Sequence, residues 1–323
     1  MGQSFNCRFP QNPNIIYMGT PDFAVPALKS LVREGYNIPA VITQPDRPKG
    51  RGRSMSCCPV KEAALSFDYM VLQPEDVNDQ SFIDGLKAMN PDLFIVAAFG
   101  QILRQAVLDI PRYGAVNIHA SLLPKYRGAA PIQWAIMNNE PVTGITLMKM
   151  AKGLDKGPVL FREEVPIKES ETAGRLFDRL AEISGHVIVK FLKESAGKVI
   201  TEVPQDDANA TYAFKITKEI AEIDWSREAV RIASLIRAMD PSPGAATMMK
   251  GKRIKLFSPV VTDRRNISGI PGKVTVDDAR RFLIETGQGT IEIGEIQLPG
   301  KKRISTGDFL RGNRIEEDTV LGV

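Results

Sequence analysis

Cysteine and histidine are both scarce in this sequence of 323 residues. The cysteines are Cys7, Cys57 and Cys58, an odd number without C-x-x-C spacing, which is not the pattern of a disulfide framework or a cysteine metal site. This usage indicates a reducing compartment, so we expect a cytoplasmic protein without a bound metal. Histidine occurs only as His119 and His186, and any mechanism that needs an imidazole has these two candidates.

Long apolar runs and a strong excess of one charge are also missing. The longest uninterrupted apolar run, Leu93 to Phe99, is far shorter than the ~20 residues that span a bilayer, so we expect no membrane association. Residues 1–14 have no apolar centre and are predicted to be a flexible tail rather than a secretory signal. The net charge of +4 neither requires nor opposes a nucleic-acid partner.

The first half of the chain alternates between strand-like and helix-like segments. Thr20 is predicted to cap a helix that begins at Pro21, directly after an apolar strand. Further strands are predicted at residues 39–43, 93–97 and 115–118, with amphipathic helices between them. This alternation predicts an α/β fold, a Rossmann-like, mostly parallel sheet with helices on both faces.

The last third of the chain has a different pattern. Residues 203–209 are polar and lack periodicity, so we predict a linker at 201–211 between a catalytic domain at 15–200 and a C-terminal domain at 212–323. After a helix at 227–239 come short strand-like runs with glycine-rich turns. These runs predict a smaller β-barrel, similar to an OB fold.

The first strand-to-helix turn does not match a dinucleotide-binding fingerprint. The turn Gly19 to Ala24 has one glycine where that fingerprint needs three. A nicotinamide-dependent dehydrogenase is therefore the least favoured class of enzyme.

Two polar side chains lie at the end of a predicted buried strand. Asn117 and His119 are two residues apart, so on an extended segment they face the same side. In open α/β sheets, ligands bind at the carboxyl ends of the strands. An amide donor beside an imidazole suits acyl transfer, in which an oxyanion develops on the substrate. The spacing alone leaves open a histidine that is simply hydrogen-bonded to the backbone.

A second candidate is the loop Gly153-Leu154-Asp155-Lys156-Gly157, which places a carboxylate between two glycines. Glycine permits backbone conformations that other residues avoid and lets a ligand approach closely. The alternative is an aspartate that caps its own turn, which is common in such loops.

Four segments in order carry a family resemblance, and they lie at residues 19–24, 44–52, 117–133 and 153–157. The run Asn-Ile-His-Ala-Ser-Leu-Leu-Pro resembles the formyltetrahydrofolate-dependent formyltransferases. The run Pro-Asp-Arg-Pro-Lys-Gly-Arg-Gly is similar to the tRNA-directed members. The resemblance covers nearly the whole chain from about Ile15.

This resemblance implies transfer of a formyl group from 10-formyltetrahydrofolate to the α-amino group of methionine on initiator tRNA. The folate is a co-substrate, and no permanently bound cofactor is expected. The family's catalytic residues fall on Asn117, His119 and Asp155. We expect Asn117 to donate to the formyl oxygen, His119 to stabilise that oxygen or protonate the leaving nitrogen, and Asp155 to orient His119 or hold a relaying water. We also expect a monomer.

The resemblance implies two binding surfaces as well. The folate-pocket residues are Phe99, Gly100, Gln101, Ile102, Leu103, Ser121, Leu122, Leu123 and Pro124. The tRNA-binding residues are Arg47, Lys49, Arg51, Arg53, Lys250, Lys252, Arg253, Lys301, Lys302 and Arg303. The alternative for the folate-pocket residues is a plain strand-to-helix connection with leucines that belong to the core. The alternative for the tRNA-binding residues is a solvated surface.

Three positions depart from the family pattern, namely Phe99, Ala151 and Lys156. They leave open a tRNA-binding protein with an inert folate site. A second alternative is a formyltransferase for an amino sugar attached to a nucleotide, whose substrate does not need the arginine-rich loop. An assay with 10-formyltetrahydrofolate and each acceptor separates these hypotheses.

Overall fold

The computed structural model describes residues 8–49, 54–264, 266 and 268–322. The chain divides into two compact units. Unit 1 comprises the chain through residue 128 with 142–166 and 177–212, and unit 2 comprises 129–141, 167–176 and the chain from 213 onward. This division differs from the predicted boundaries, because two short segments within the predicted catalytic domain belong to unit 2.

Unit 1 contains most of the alternating elements. Its strands are β1 (Ile15–Gly19), β2 (Ala40–Ile42), β3 (Arg47–Lys49), β4 (Ser54–Ser56), β5 (Val71–Leu72), β6 (Leu93–Ala97), β7 (Ala115–His119), β8 (Arg127–Gly128), β9 (Val142–Lys149) and β10 (Val159–Pro166). Its helices are α1 (Val25–Arg33), α2 (Pro59–Ser66), α3 (Gln80–Ala88) and α4 (Gln105–Leu108), while α5 (Pro131–Met137) lies in unit 2 and α6 (Ala173–Ser195) begins there. Proline occupies the first turn of α2 and α5, where its missing N–H costs no hydrogen bond.

A seven-stranded sheet forms the centre of unit 1, in the order β10-β9-β7-β6-β1-β2-β5. The strands from β7 to β5 are parallel, β9 is antiparallel to β7, and β10 is antiparallel to β9. Strands β1 and β6 are buried at every position, which explains their continuous apolar sequences. Because parallel strands end at one edge, the carboxyl ends of β1, β6 and β7 lie along the same side of the sheet.

The start of α1 differs from the prediction. Residues 22–24 form a single 3₁₀ turn, and α1 begins only at Val25. The hydroxyl of Thr20 is not a helix cap: it donates to the carbonyl of Phe99 at 2.8 Å and accepts the N–H of Gln44 at 3.3 Å. Thr20 therefore connects the segments that follow β1, β2 and β6.

The predicted flexible tail is wrong for its described part after Arg8. The side chain of Phe9 is buried, with its ring centroid 5.1 Å from that of Tyr113 and 6.5 Å from that of Phe191. Its backbone donates to the carbonyl of Lys198 and accepts from the N–H of Gly197. The side chain of Phe9 is therefore part of the core of unit 1.

Unit 2 is built mainly from antiparallel strands. Its strands are β12 (Ala245–Met249), β13 (Lys252–Thr262), β14 (Val274–Val276), β15 (Phe282–Glu285), β16 (Thr290–Gln297) and β17 (Ile304–Ser305), preceded along the chain by β11 (Tyr212–Ala213). Its other helices are α7 (Ala229–Ala238) and α8 (Thr306–Gly312). The sheet order is β12-β13-β16-β15-β14, with β17 added to β16. The predicted fold class is thus confirmed as a mostly parallel sheet with helices followed by a domain of antiparallel strands.

Helix α6 is the longest of the described helices, with 23 residues. Charged side chains are spread along it from Arg175 to Glu194. Within the described ranges, none of the helices combines the length and the apolar character that crossing a membrane requires.

Candidate active site

Strand β7 carries the first two predicted catalytic residues, and it lies between β6 and β9 in the sheet. His119 pairs with Thr146 of β9, and Asn117 pairs with Met148. The imidazole is buried, with 5% of the residue exposed, whereas Asn117 is partly accessible. The two side chains leave the same face of β7, at its carboxyl end, as their spacing predicts.

The ring of His119 is fixed by a backbone carbonyl. Its Nε2 lies 2.9 Å from the carbonyl oxygen of Tyr126. Because a carbonyl only accepts hydrogen bonds, Nε2 carries the proton and Nδ1 is the other reactive position of the ring. Tyr126 is itself held, because its N–H donates to the hydroxyl of Thr211 at 2.8 Å.

Asp155 faces that second nitrogen. Its Oδ2 lies 3.7 Å from Nδ1 of His119 and accepts the N–H of Gly128 at 2.8 Å. The first distance exceeds that of a direct hydrogen bond, and the carboxylate attracts the ring when Nδ1 is also protonated. The carboxylate therefore binds a distant backbone amide rather than its own turn, and the structure brings His119 and Asp155 together as predicted.

The loop that carries Asp155 is tightly constrained. Asp155 has a φ of 49° and Gly153 a φ of 108°, both in the left-handed region. A Cβ atom at Gly157 would lie 1.7 Å from the carbonyl oxygen of Lys149, so only glycine fits there. Glycine is therefore required at position 157 by the lack of space and favoured at position 153 by the backbone conformation.

Two further polar residues that the sequence did not single out support this loop. The Nε2 of Gln205 donates to the carbonyls of Asp155 at 2.8 Å and Gly157 at 2.7 Å. Its Oε1 accepts from Nε and Nη2 of Arg127 at 3.1 and 2.9 Å. Arg127 is 1% exposed and pairs through Nη1 with Asp207 at 2.7 Å. The polar segment predicted to be a linker is thus part of the site.

Lys156, one of the departures from the family pattern, lies on the exposed side of the loop. The hydrogen bond from Arg127 lowers the pKa of Asp207, and the positive charge of Lys156 acts in the same direction. The side chain of Lys156 also passes over Gly153. Its charge is therefore partly balanced by Asp207.

The predicted folate segment follows β6 and contains both core and accessible residues. The side chains of Phe99 and Leu103 belong to the hydrophobic core of unit 1. Gly100 has a φ of 92° and is exposed, and Ile102 is 85% exposed. Gln101 accepts the N–H of Val77 at 2.8 Å and donates to the carbonyl of Pro74 at 3.1 Å, which is a structural role.

The second part of the predicted folate pocket lies directly after β7. Ser121 is fully buried, and its hydroxyl donates to the carbonyl of Lys125 at 2.7 Å. Leu123 packs in a small cluster with Met148 and Val159, as the alternative of a core leucine predicts. Leu122 and Pro124 are partly exposed.

The arginine-rich loop is described only in part. Arg47 is exposed at the start of β3, whereas the side chain of Lys49 and the whole of Arg51 and Arg53 lie outside the described residues. The loop begins at a firm anchor: Nζ of Lys61 donates to Oδ2 of Asp46 at 2.5 Å.

Gln73 completes this anchor. Its Oε1 accepts from Lys61 at 2.6 Å, and its Nε2 donates to Oδ1 of Asp46 at 2.9 Å. The hydrogen bonds from Lys61 and then Gln73 hold the pKa of Asp46 below its usual range. At neutral pH, the ionised carboxylate of Asp46 therefore fixes the base of the arginine-rich loop.

The predicted tRNA contacts of unit 2 fall into two kinds. Lys250, Lys252, Arg253, Lys301 and Lys302 are exposed, although Lys250 and Arg253 make surface ion pairs with Glu316 and Glu222. Such exposed pairs are weak and exchange readily for other anions.

Arg303 does not fit its predicted role as a tRNA contact. Its guanidinium binds both oxygens of Asp240 at 2.8 and 3.1 Å, pairs with Glu295, and lies 4.0 Å from the ring centroid of Phe257. A guanidinium that already has two carboxylates and an aromatic face stabilises unit 2 and is not free for a phosphate.

Comparisons with known proteins agree with this architecture. The formyl transferase family matches residues 13–192, and the formyl transferase C-terminal domain matches residues 215–314. The chain is 43% identical over 314 residues to the methionyl-tRNA formyltransferase of Lachnospira eligens, covering 95% of this chain and 99% of that protein. It is 46% identical over 309 residues to the methionyl-tRNA formyltransferase of Caldanaerobacter subterraneus, with the same two shares covered.

A solved structure shows the same fold at lower sequence identity. HypX from Aquifex aeolicus, solved in complex with tetrahydrofolic acid, superposes with a TM-score of 0.61 at 19% identity. The superposition covers 94% of this chain and 49% of HypX. At this identity the similarity concerns the fold alone.

Proposed function

The chain belongs to the methionyl-tRNA formyltransferase family, and from that premise we propose that it transfers a formyl group from 10-formyltetrahydrofolate to the α-amino group of methionine on initiator tRNA. The formyl donor is a co-substrate that arrives and leaves in each cycle. The acceptor is a charged tRNA, which agrees with the predicted cytoplasmic location, and we retain the prediction of a monomer.

The observation that carries this proposal is the geometry around His119. Its Nε2 is bound to the carbonyl of Tyr126, and its Nδ1 faces Oδ2 of Asp155 at 3.7 Å. An imidazole with one nitrogen fixed has a single nitrogen left for proton transfer, and the carboxylate stabilises the positive charge when that nitrogen is protonated. This arrangement supports Nδ1 as the position that exchanges a proton during the reaction.

The reaction balances with one bond formed and one broken. The neutral amine attacks the formyl carbon, the carbonyl becomes a tetrahedral oxyanion, and the bond from carbon to the donor nitrogen breaks. An α-amino group titrates near ~7.7 to 8.0, so its attacking form is available without a strong base. One proton moves from the amine to the leaving nitrogen, and no covalent enzyme intermediate is needed.

In this proposal the chain's own residues have separate tasks. Asn117 donates its side-chain N–H to the developing oxyanion, a contribution of about 2.7 to 4 kcal/mol for a preorganised donor. His119 passes the proton through Nδ1. Asp155 stabilises the imidazolium or holds a water that relays the proton, and its 3.7 Å separation from the ring favours the relay.

The proposal also assigns residues to the folate pocket and to the tRNA-binding surface. Gly100 and Ile102 are the accessible residues of the loop after β6, and we assign them to the folate pocket through backbone and apolar contact. Arg47, on its anchored loop, and the exposed lysines of unit 2 are assigned to the phosphates of the tRNA.

The experiment that tests this function gives the purified protein 10-formyltetrahydrofolate and one acceptor at a time. The acceptors are initiator Met-tRNA and an amino-sugar nucleotide, and formylated product is measured for each. We expect product only with Met-tRNA. Product only with the sugar overturns the tRNA assignment, and binding of Met-tRNA without any product would identify a tRNA-binding protein with an inert folate site.

A further inference from the structure

Gln205 connects the segment after β10 to the loop that carries Asp155. We propose that Gln205 is a positioning residue for formyl transfer, because its side-chain amide, oriented by Arg127, holds this loop so that the carboxylate of Asp155 stays beside His119. The inference rests on the proposed function, in which Asp155 and His119 act together.

The amide of Gln205 uses both of its N–H groups on the loop. The Nε2 atom donates to the carbonyls of Asp155 and Gly157, at 2.8 and 2.7 Å. These carbonyls are two residues apart, so the tether spans the turn immediately after the carboxylate. A side chain without two donors on one nitrogen cannot make both contacts.

Arg127 determines which way the amide points. A guanidinium only donates, and its Nε and Nη2 both approach Oε1 of Gln205, so this atom is the acceptor and the nitrogen must face the loop. Arg127 has almost no freedom to move, being 1% exposed and paired with Asp207. The orientation of Gln205 is thus imposed by a buried neighbour.

The loop needs such a restraint. Asp155 adopts a left-handed backbone conformation with a φ of 49°, which is unfavourable for a residue with a Cβ, so the loop tends to relax when the hydrogen bonds that hold it are removed. Relaxation would rotate the carboxylate away from the N–H of Gly128 and from His119. A misplacement of about 1 Å at a reacting group lowers a rate by roughly 10²-fold.

Backbone hydrogen bonds position the segment that carries Gln205 beside the loop of Asp155. Val203 and Val159 exchange two hydrogen bonds, at 2.8 and 2.9 Å, which attach the segment to the start of β10. Arg127 and Gly128 are adjacent in β8, so one short strand supplies both the guanidinium that orients Gln205 and the N–H that binds Asp155. Strand β8 therefore holds both the side chain of Gln205 and the carboxylate of Asp155.

The variant Gln205→Glu tests the inference. Glutamate is similar in size and keeps an acceptor oxygen for Arg127, but an ionised carboxylate cannot donate to the two carbonyls, so the hydrogen bonds to the loop are lost. We expect kcat to fall roughly 10- to 100-fold while KM for both substrates stays close to wild type and the melting temperature falls by only a few degrees. If Gln205→Glu does not fold, Gln205→Met, which is similar in size and uncharged, is expected to give the same fall in kcat.

The double variant Gln205→Glu/Asp155→Asn separates positioning from a general structural effect. If Gln205 acts through Asp155, the double variant is no slower than Asp155→Asn alone. The matched control is Gln80→Glu, which makes the same change of charge on the exposed surface of α3, and we expect wild-type kinetics.

The outcomes distinguish this inference from the proposed function. A wild-type kcat in Gln205→Glu, or losses that multiply in the double variant, overturns the role of Gln205 while formylation by the wild-type enzyme stands. Absence of formylated Met-tRNA with the wild-type enzyme overturns the function itself.

Discussion

Nδ1 of His119 lies 3.7 Å from Oδ2 of Asp155, and that oxygen is held at 2.8 Å by the N–H of Gly128. The pair is too far apart for a direct hydrogen bond but close enough for one bridging water or substrate group to contact both atoms. The other ring nitrogen is bound to the carbonyl of Tyr126. Nδ1 is therefore the ring nitrogen that is left for the proton exchange we propose.

Replacing either member of this pair should slow turnover without unfolding the protein. We expect His119→Ala and Asp155→Asn to lower kcat by about 10²- to 10⁴-fold, the usual contribution of a positioned acid or base. Single-turnover formylation of Met-tRNA measures the rate, and a melting curve checks the fold. Near-normal rates in both variants would refute the assigned roles.

The arginine-rich loop should act on tRNA binding and not on chemistry. We expect Arg47→Ala combined with Arg51→Ala to weaken binding of Met-tRNA and to flatten its salt dependence by roughly 0.7 to 0.9 log units of affinity per log unit of salt for each phosphate that is no longer bound. The matched control is Arg33→Ala, an exposed arginine at the end of α1. An unchanged salt slope in the double variant counts against binding of the tRNA backbone by this loop.

Arg303 should matter for stability rather than for tRNA. Its hydrogen bonds to Asp240 and Glu295 predict that Arg303→Met destabilises the protein by about 2 kcal/mol, since hydrogen bonds to charged groups contribute about 1.5 to 3 kcal/mol. We expect denaturant unfolding to show this decrease while the salt slope of tRNA binding is unchanged. Lys301→Ala with Lys302→Ala should show the reverse, and a flattened slope in Arg303→Met would restore it as a tRNA contact.

Asp46 should stabilise the protein only when it is ionised. Hydrogen bonds from Lys61 and Gln73 lower its pKa in the folded state, so its contribution is present above the unfolded pKa of ~3.9 and is lost as pH falls through the lower folded value. We expect Asp46→Asn to be less stable than wild type at pH 7, with the difference closing below about pH 4. Unfolding free energies at several pH values measure this, and a constant difference would contradict it.

The sequence predicted those elements that have a clear local signal. The uninterrupted apolar run of β6 predicted its bounds at 93–97, because a strand buried on both faces has no polar positions. The predicted start of α1 at Pro21 was wrong. The hydroxyl of Thr20 does not cap a helix, because it binds the carbonyl of Phe99, which lies 79 residues away. Strand β12 was missed because its sequence, Ala-Ala-Thr-Met-Met, has weak strand preference and is stabilised by pairing with β13.

In the candidate active site, too, residues within a recognisable motif were predicted and a residue outside any motif was missed. Asn117, His119 and Asp155 lie in segments with a recognisable pattern, and the contact of His119 with Asp155 is present in the structure. Gln205 lies in a polar stretch without periodicity, and its partners are 48 to 78 residues distant. A single glutamine carries no spacing signal for contacts across such distances, and only the folded backbone shows what it binds.

The attachment of Val203 to Val159 has a practical consequence for exchanging halves between family members. A chimera joined near residue 200 would pair the loop of one parent with the glutamine segment of another. A junction placed beyond Thr211 transfers the loop and the glutamine segment together, and such a chimera should retain more activity than one joined near residue 200.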